Sequence, residues 1–159
     1  MRGNTHFFNL ILIIIAVYIA IIFLISVTIS YRQSKSGNID MAELCAYARK
    51  FMTDTDLSEI GKELDCSGYT QIVYNKFGRR IPASASQQYR RYHFDNNEMK
   101  QGDLIFFSTN KKNISHVGIY LGDSAFIHSP GKNREIKVDD LKSKYWKQCF
   151  RGTGSVVKK

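Results

Sequence analysis

Acidic residues are scarce in this chain of 159 residues: 14 Asp and Glu stand against 23 Lys and Arg, a formal charge of +9 at neutral pH. Proline is scarcer still, at 2, and cysteine occurs 3 times. Three thiols cannot build a disulfide framework in which every cysteine is paired, so the fold must rest on packing. The length excludes a multidomain enzyme and fits one compact domain with a short appendage. Disorder is excluded by composition, since 43% hydrophobic and 13% aromatic residues suffice to fill a core. No Cys-x-x-Cys or paired-histidine spacing marks a zinc site, and nothing in the sequence calls for another cofactor; we expect none. The positive charge alone would admit a nucleic-acid partner, but no zinc finger, recognition helix or aromatic RNA-binding signature accompanies it, and that reading is set aside.

Charge is missing altogether from Phe7 to Ile29, and Leu10 to Ile25 is almost wholly aliphatic. A helix of this length spans a hydrocarbon layer about 30 Å thick. A cleavable signal peptide is the competing reading, but its apolar core runs about 7 to 15 residues before an A-x-A-like site, and none follows here. We therefore expect a retained transmembrane anchor over residues 1–30, a polar linker over 31–38 (YRQSKSGN) and one domain over 39–159. Arg2 is the only charged residue before the linker, so the 23 basic residues less Arg2, against 14 acidic ones, leave +8 on the remainder. Such a charge suits anionic surroundings. The short linker keeps the domain near the membrane, where other envelope proteins become possible partners.

Within the domain, Met41, Cys45, Ala48 and Met52 recur at helical spacing and predict an amphipathic helix over 40–52. Thr53 to Leu64 reads as a polar connection. A second helix is predicted to begin near Cys66, with Asp65 placed to cap it and Gly78 placed to end it. Residues 103–107, 115–121, 125–128 and 135–138 read as short strands. Helices followed by strands predict an α+β domain, with helices packed on a small antiparallel sheet.

Cys66 falls in the first turn of the second helix, where unpaired backbone N–H groups favour a thiolate. Cys66, Tyr69, Val73 and Phe77 share one face, so the sulfur is expected to look towards the strands. Two strands carry His116 and His128. A three-residue hairpin loop centred on Gly122 would pair them directly, whereas a two-residue loop would set them on opposite faces. A thiol, an imidazole to take its proton and a second group to orient that imidazole suit nucleophilic catalysis. The bland alternative is a buried structural thiol and two strand histidines; zinc held by the same three residues is a further one. Cys45 and Cys149 could pair as a disulfide without consuming Cys66.

Five segments occur in a fixed order: Asp65-Cys66-Ser67-Gly68-Tyr69, Arg80-Ile81-Pro82 with Gln87-Gln88-Tyr89, Gly102 to Phe107, Ser115 to Gly122, and Phe126-Ile127-His128. Together they resemble the NlpC family of cell-wall peptidases. The resemblance implies a papain-like α+β fold and hydrolysis of an amide in bacterial peptidoglycan stem peptides, commonly the D-γ-glutamyl to diamino-acid bond. By that resemblance Cys66 is the nucleophile, His116 the base and His128 the orienting residue. Asp65 and Ser67 match positions that contact the free amino end of the substrate. The family's Pro-Tyr and Gly-Gly stretch before the cysteine has no counterpart in Thr53–Leu64. A wall substrate implies a single-pass protein of the bacterial cytoplasmic (inner) membrane with its domain outside. A catalytically silent wall-binding module and a membrane thiol acyltransferase are the competing functional readings.

Overall fold

The computed structural model describes residues 4–37, 39–94 and 98–157. The chain divides into two units, Met1–Asn38 and Ile39–Lys159. The first is a single helix, α1 (Asn4–Gly37). It contains the 18-residue stretch Ile11–Thr28, with a mean hydropathy of 3.1 and no part of it buried. The helix runs on through residues 31–37, so the polar segment read as a linker is helical that far; Asn38 lies outside the described residues.

The second unit is α+β. Four helices, α2 (Met41–Lys50), α3 (Thr55–Lys62), α4 (Cys66–Lys76) and α5 (Ala85–Tyr92), precede most of the sheet, and α6 (Lys144–Cys149) interrupts its end. The strands are β1 (His93–Phe94), β2 (Leu104–Phe107), β3 (His116–Gly122), β4 (Ala125–His128), β5 (Lys137–Asp140) and β6 (Phe150–Gly154). They form one antiparallel sheet in the order β1-β6-β2-β3-β4-β5.

Side-chain alternation divides the core in two. Leu104, Phe106, Val117, Ile119 and Ile127 face the larger cluster, built with Leu44, Cys45, Ala48 and Phe51 of the α2 segment and Tyr69, Val73 and Tyr74 of α4. Ile105, Phe107 and Phe126 face the other side, where Trp146 and Cys149 complete a smaller cluster. Cys45 and Cys149 therefore lie on opposite sides of the sheet as free thiols, which answers the pairing left open by the sequence.

Helix α2 differs from its sequence reading at one end. Asp40 caps it through Ala42 N–H and Glu43 N–H, but the chain leaves the helix at Phe51, so Phe51 is buried and Met52 is exposed. The supposed polar connection 53–64 holds α3, capped by Asp54.

The hairpin joining β3 and β4 decides where the histidines stand. Its loop is the two-residue Asp123-Ser124, both at positive φ, as a primed hairpin turn requires. A two-residue loop alone would put His116 and His128 on opposite faces. However, Tyr120 pairs with Phe126 and Gly122 with Ala125, so Leu121 is an extra residue that shifts the register by one. The bulge returns both histidines to the same face, diagonal to one another, with Gly118 opposite His128. A Cβ on Gly118 would meet Phe126 Cδ2 at 2.7 Å, the Ile127 carbonyl at 3.0 Å and His128 Cβ at 3.3 Å. Gly118→Ala is expected to destabilise the domain by about 1–3 kcal/mol, the usual range for overpacking a tight site. Urea denaturation followed by near-ultraviolet circular dichroism checks this; an unchanged midpoint would show that the contact is soft.

Candidate active site

The thiol is delivered by α4. Asp65 caps that helix, its Oδ1 accepting from Gly68 N–H at 2.7 Å and from the Ser67 hydroxyl at 2.9 Å. An N-cap of this kind contributes about 1 kcal/mol and fixes the first turn, where Cys66 stands. Beyond Phe77, Gly78 takes φ +72°, so the sequence-predicted stop is also in place. The apolar face of α4 packs on β3 and joins α2, with the Tyr69 hydroxyl donating to the Ala48 carbonyl at 2.9 Å.

Buried polar groups tie down the same end of the helix. Gln88 Nε2 donates to the Ser67 and Pro82 carbonyls, and the Thr70 hydroxyl reaches Gln88 Oε1 at 3.0 Å. The fully buried Ser129 hydroxyl donates to the Leu64 carbonyl at 2.7 Å, joining the residue after His128 to the turn before Cys66. Gln88 was part of a motif in the sequence, but its buried role was not evident there. Ser129 was missed.

Cys66 Sγ lies against the start of β3, 4.0 Å from the Ser115 carbonyl. Burial pushes this thiol above its ordinary range; the N–H groups of Val117, Ser67 and Cys66 pull it back, and Asp65 pushes it further up. The helix N-terminus thus acts in the expected direction but is outweighed by desolvation. Cys45, buried among apolar groups, is pushed up to about 11.

His116 and His128 do meet: His116 Nε2 lies 2.8 Å from His128 Nδ1. They meet diagonally, through the bulge, and not as the directly opposed pair that a three-residue loop would make. His116 is 8% exposed and His128 1%. Burial, together with the neighbouring His128, pushes His116 down to about 3; burial also lowers His128, against the pull of Asp139. Trp146 stacks on His116 with centroids 5.4 Å apart and meets His128 edge-on at 5.2 Å. Asp139 Oδ2 lies 3.0 Å from His128 Nε2. Asp139 and Trp146 were not singled out from the sequence. Carrying the last strand two residues further would have set Lys137 and Asp139 on the histidine face.

Of the two residues matched to substrate binding, Asp65 is exposed, whereas Ser67 is buried with its hydroxyl committed to Asp65. Two clefts, of about 610 and 640 Å³, lie nearby: one is lined by Gly68, Gln71 and Arg80, the other by Tyr89, Arg90 and Ile114. Neither lining includes Cys66 or His116.

An α+β domain with a thiol opening its sheet-packed helix and a bonded histidine pair on the sheet has the arrangement of papain-like cysteine peptidases. The chain belongs to the NlpC/P60 family, whose profile matches residues 52–155. It is similar to the probable endopeptidase YafL of Escherichia coli (strain K12), with 35% identity over 101 residues, 60% of this chain and 41% of that protein. The gamma-D-glutamyl-L-lysine dipeptidyl-peptidase of Bacillus cereus (strain ATCC 10987 / NRS 248) is 34% identical over 95 residues, 58% of this chain and 28% of that protein. Among solved structures, the NlpC/p60 domain of the peptidoglycan hydrolase SagA superposes with a TM-score of 0.57 at 26% identity, covering 74% of this chain and 99% of that one. The chain thus spans less than half the length of these curated relatives but nearly the whole of an isolated NlpC/p60 domain.

The two lowered histidines set a pH dependence of stability. A buried imidazole held neutral contributes stability that is complete above its ordinary value of 6.5 and is lost as pH falls from there towards the folded value, about 3 for His116. We expect Tm to fall steadily between pH 7 and pH 4, each histidine removing up to about 1.4 kcal/mol per pH unit. His116→Asn should flatten that slope. A Tm independent of pH over this range would contradict the assignment.

Proposed function

We propose that this chain is a membrane-anchored cysteine peptidase that hydrolyses amide bonds in peptidoglycan stem peptides, at the D-γ-glutamyl to diamino-acid linkage. The observation that carries the reading is the 2.8 Å bond between His116 and His128, beside the backbone against which Cys66 Sγ rests. The name of the Bacillus cereus relative, a gamma-D-glutamyl-L-lysine dipeptidyl-peptidase, favours this bond.

His116 has Nε2 engaged with His128, so Nδ1 is the nitrogen that takes the proton from Cys66 as sulfur attacks the amide carbon. The C–N bond then breaks, the same proton passes to the leaving amine, and a thioester remains on Sγ. Water, deprotonated by His116, attacks that thioester, releasing the carboxylic acid and restoring the thiol. The Cys66 N–H, at the open end of α4, supports the oxyanion in both steps. Because burial keeps both the thiol and the imidazole neutral at rest, the proton leaves Cys66 as sulfur attacks the carbonyl and not in advance of it. Asp65 receives the free amino end of the stem peptide, and Ser67 orients Asp65 by hydrogen bonding.

The apolar stretch Ile11–Thr28 supports the anchor. A wall substrate then places the amino terminus inside the cell and the domain outside the cytoplasmic membrane. A phosphatase reporter fused after Lys159 is expected to be active; a cytoplasmic reporter would overturn the topology.

The activity is tested by incubating the full chain in detergent with defined tri- and tetrapeptide muropeptides, followed by mass spectrometry. We expect cleavage after the D-γ-glutamyl residue and, in Cys66→Ala, a loss of at least about 10³-fold, as when a nucleophile is removed. A folded protein with an unreactive Cys66 and no cleavage would favour a wall-binding module instead.

A further inference from the structure

Beyond the histidine pair, three donors converge on one carboxylate oxygen. Asp139 Oδ2 lies 3.0 Å from His128 Nε2, 2.9 Å from Trp146 Nε1 and 2.8 Å from Lys137 Nζ. An indole N–H and an ammonium can only donate, so this oxygen accepts. Burial alone would raise the Asp139 carboxyl, but the bonds from Lys137, His128 and Trp146 outweigh it and hold the group below the usual carboxylate range. Asp139 is ionised at neutral pH.

An ionised carboxylate at His128 Nε2 means that this nitrogen carries the hydrogen. In the neutral ring Nδ1 is then the acceptor, and His116 Nε2, 2.8 Å away, must donate to it. The lone pair of His116 is left on Nδ1. The sequence of bonds from Asp139 to His116 thus has a single direction, set at its far end.

We infer that Asp139 is a positioning residue: acting through His128, it fixes which nitrogen of His116 is free to take the thiol proton, and it supplies the negative charge that steadies His116 once protonated. The inference rests on the reading of Cys66 and His116 as the reacting pair. In the step concerned, the S–H bond breaks and an N–H bond forms at His116 Nδ1. The hydrogens on His116 Nε2 and His128 Nε2 stay in place, and Asp139 takes up no proton. The charged and titratable groups acting on His116 are His128, Asp139, Lys137 and Asp65, while Phe107 and Trp146 cover its ring. Lys137, half exposed, opposes Asp139 and sets how much of its charge His116 experiences.

A purely structural Asp139 would merely join β5 to β4 and α6. The two roles separate in a ¹⁵N spectrum of the histidine rings, recorded on the full chain in detergent, combined with the pH dependence of Cys66 alkylation by iodoacetamide. The wild type is expected to show both rings protonated at Nε2 and bare at Nδ1. Asp139→Ala should mix the tautomers and slow alkylation at neutral pH by about 10²-fold, the low end of what a positioned acid–base group contributes. Asp139→Asn, with its carbonyl oxygen held by Trp146 and Lys137, should keep the tautomers, lose less rate and move His116 protonation to lower pH. Lys137→Met should move it to higher pH. Wild-type tautomers and an unshifted pH profile in Asp139→Ala, or an unshifted profile in Lys137→Met, would overturn the inference. Should Asp139→Ala fail to fold, the Asn and Met variants decide. None of these measurements needs a peptide substrate: altered tautomers without muropeptide cleavage would defeat the peptidase reading alone, and cleavage with unaltered tautomers would defeat this inference alone.

Discussion

The site depends on parity. In an antiparallel sheet each residue added to a strand turns every later side chain to the other face, and here the two faces have incompatible uses. One receives α4 and the larger apolar cluster; the other carries the histidines under Trp146. The Asp123-Ser124 turn, taken alone, would have divided His116 from His128 across the sheet. Leu121, as an unpaired residue, cancels that division. Gly118 then gives His128 room to lean across the strand and reach His116. The bulge and the tight turn thus act as a single device, since removing the bulge alone would set the two histidines on opposite faces.

Desolvation governs the chemistry as firmly as the hairpin governs the geometry. Cys66, His116 and His128 at the candidate site are all pushed towards their neutral forms: the thiol upward, both imidazoles downward. The charges that remain sit at the margins, on Asp65 at the helix cap and on the Asp139–Lys137 pair at the sheet edge. Such an arrangement keeps the interior stable, and under the proposed mechanism it lets charge develop only as proton transfer and bond formation occur together. The buried bonds of Gln88, Thr70 and Ser129 hold the helix terminus against the sheet, which fixes where Cys66 stands relative to the start of β3.

The parts legible in the sequence were those with a local signature. Asp65 and Gly78 delimit α4 because capping and left-handed stops are decided within a few residues. Strand β4 was read to the residue, and β2 and β3 to within one at either end, since each is a short apolar or alternating run. The elements missed depend on distant partners. Helix α3 has a partly buried Leu57 and an exposed Ile60 on a polar background, and its Gly61 comes close to Ile136 from far along the chain. Strand β6, Phe-Arg-Gly-Thr-Gly, reads as coil until it is inserted between β1 and β2. The same distinction holds at the candidate site: Cys66, His116 and His128 were singled out from motif and spacing. Asp139 belongs to a strand whose end is set by pairing with β4, and the expected thiolate was reversed by a burial that no local pattern reveals.

Trp146 is the only tryptophan in the chain, and it lies face to face with His116 and edge to face with His128. A protonated imidazole in contact with an indole drains its excited state, whereas a neutral one does so weakly. The protein therefore carries its own optical probe beside the histidine pair, with no second indole to dilute the signal. Proton arrival at either histidine can be followed as a change in emission from the unlabelled chain.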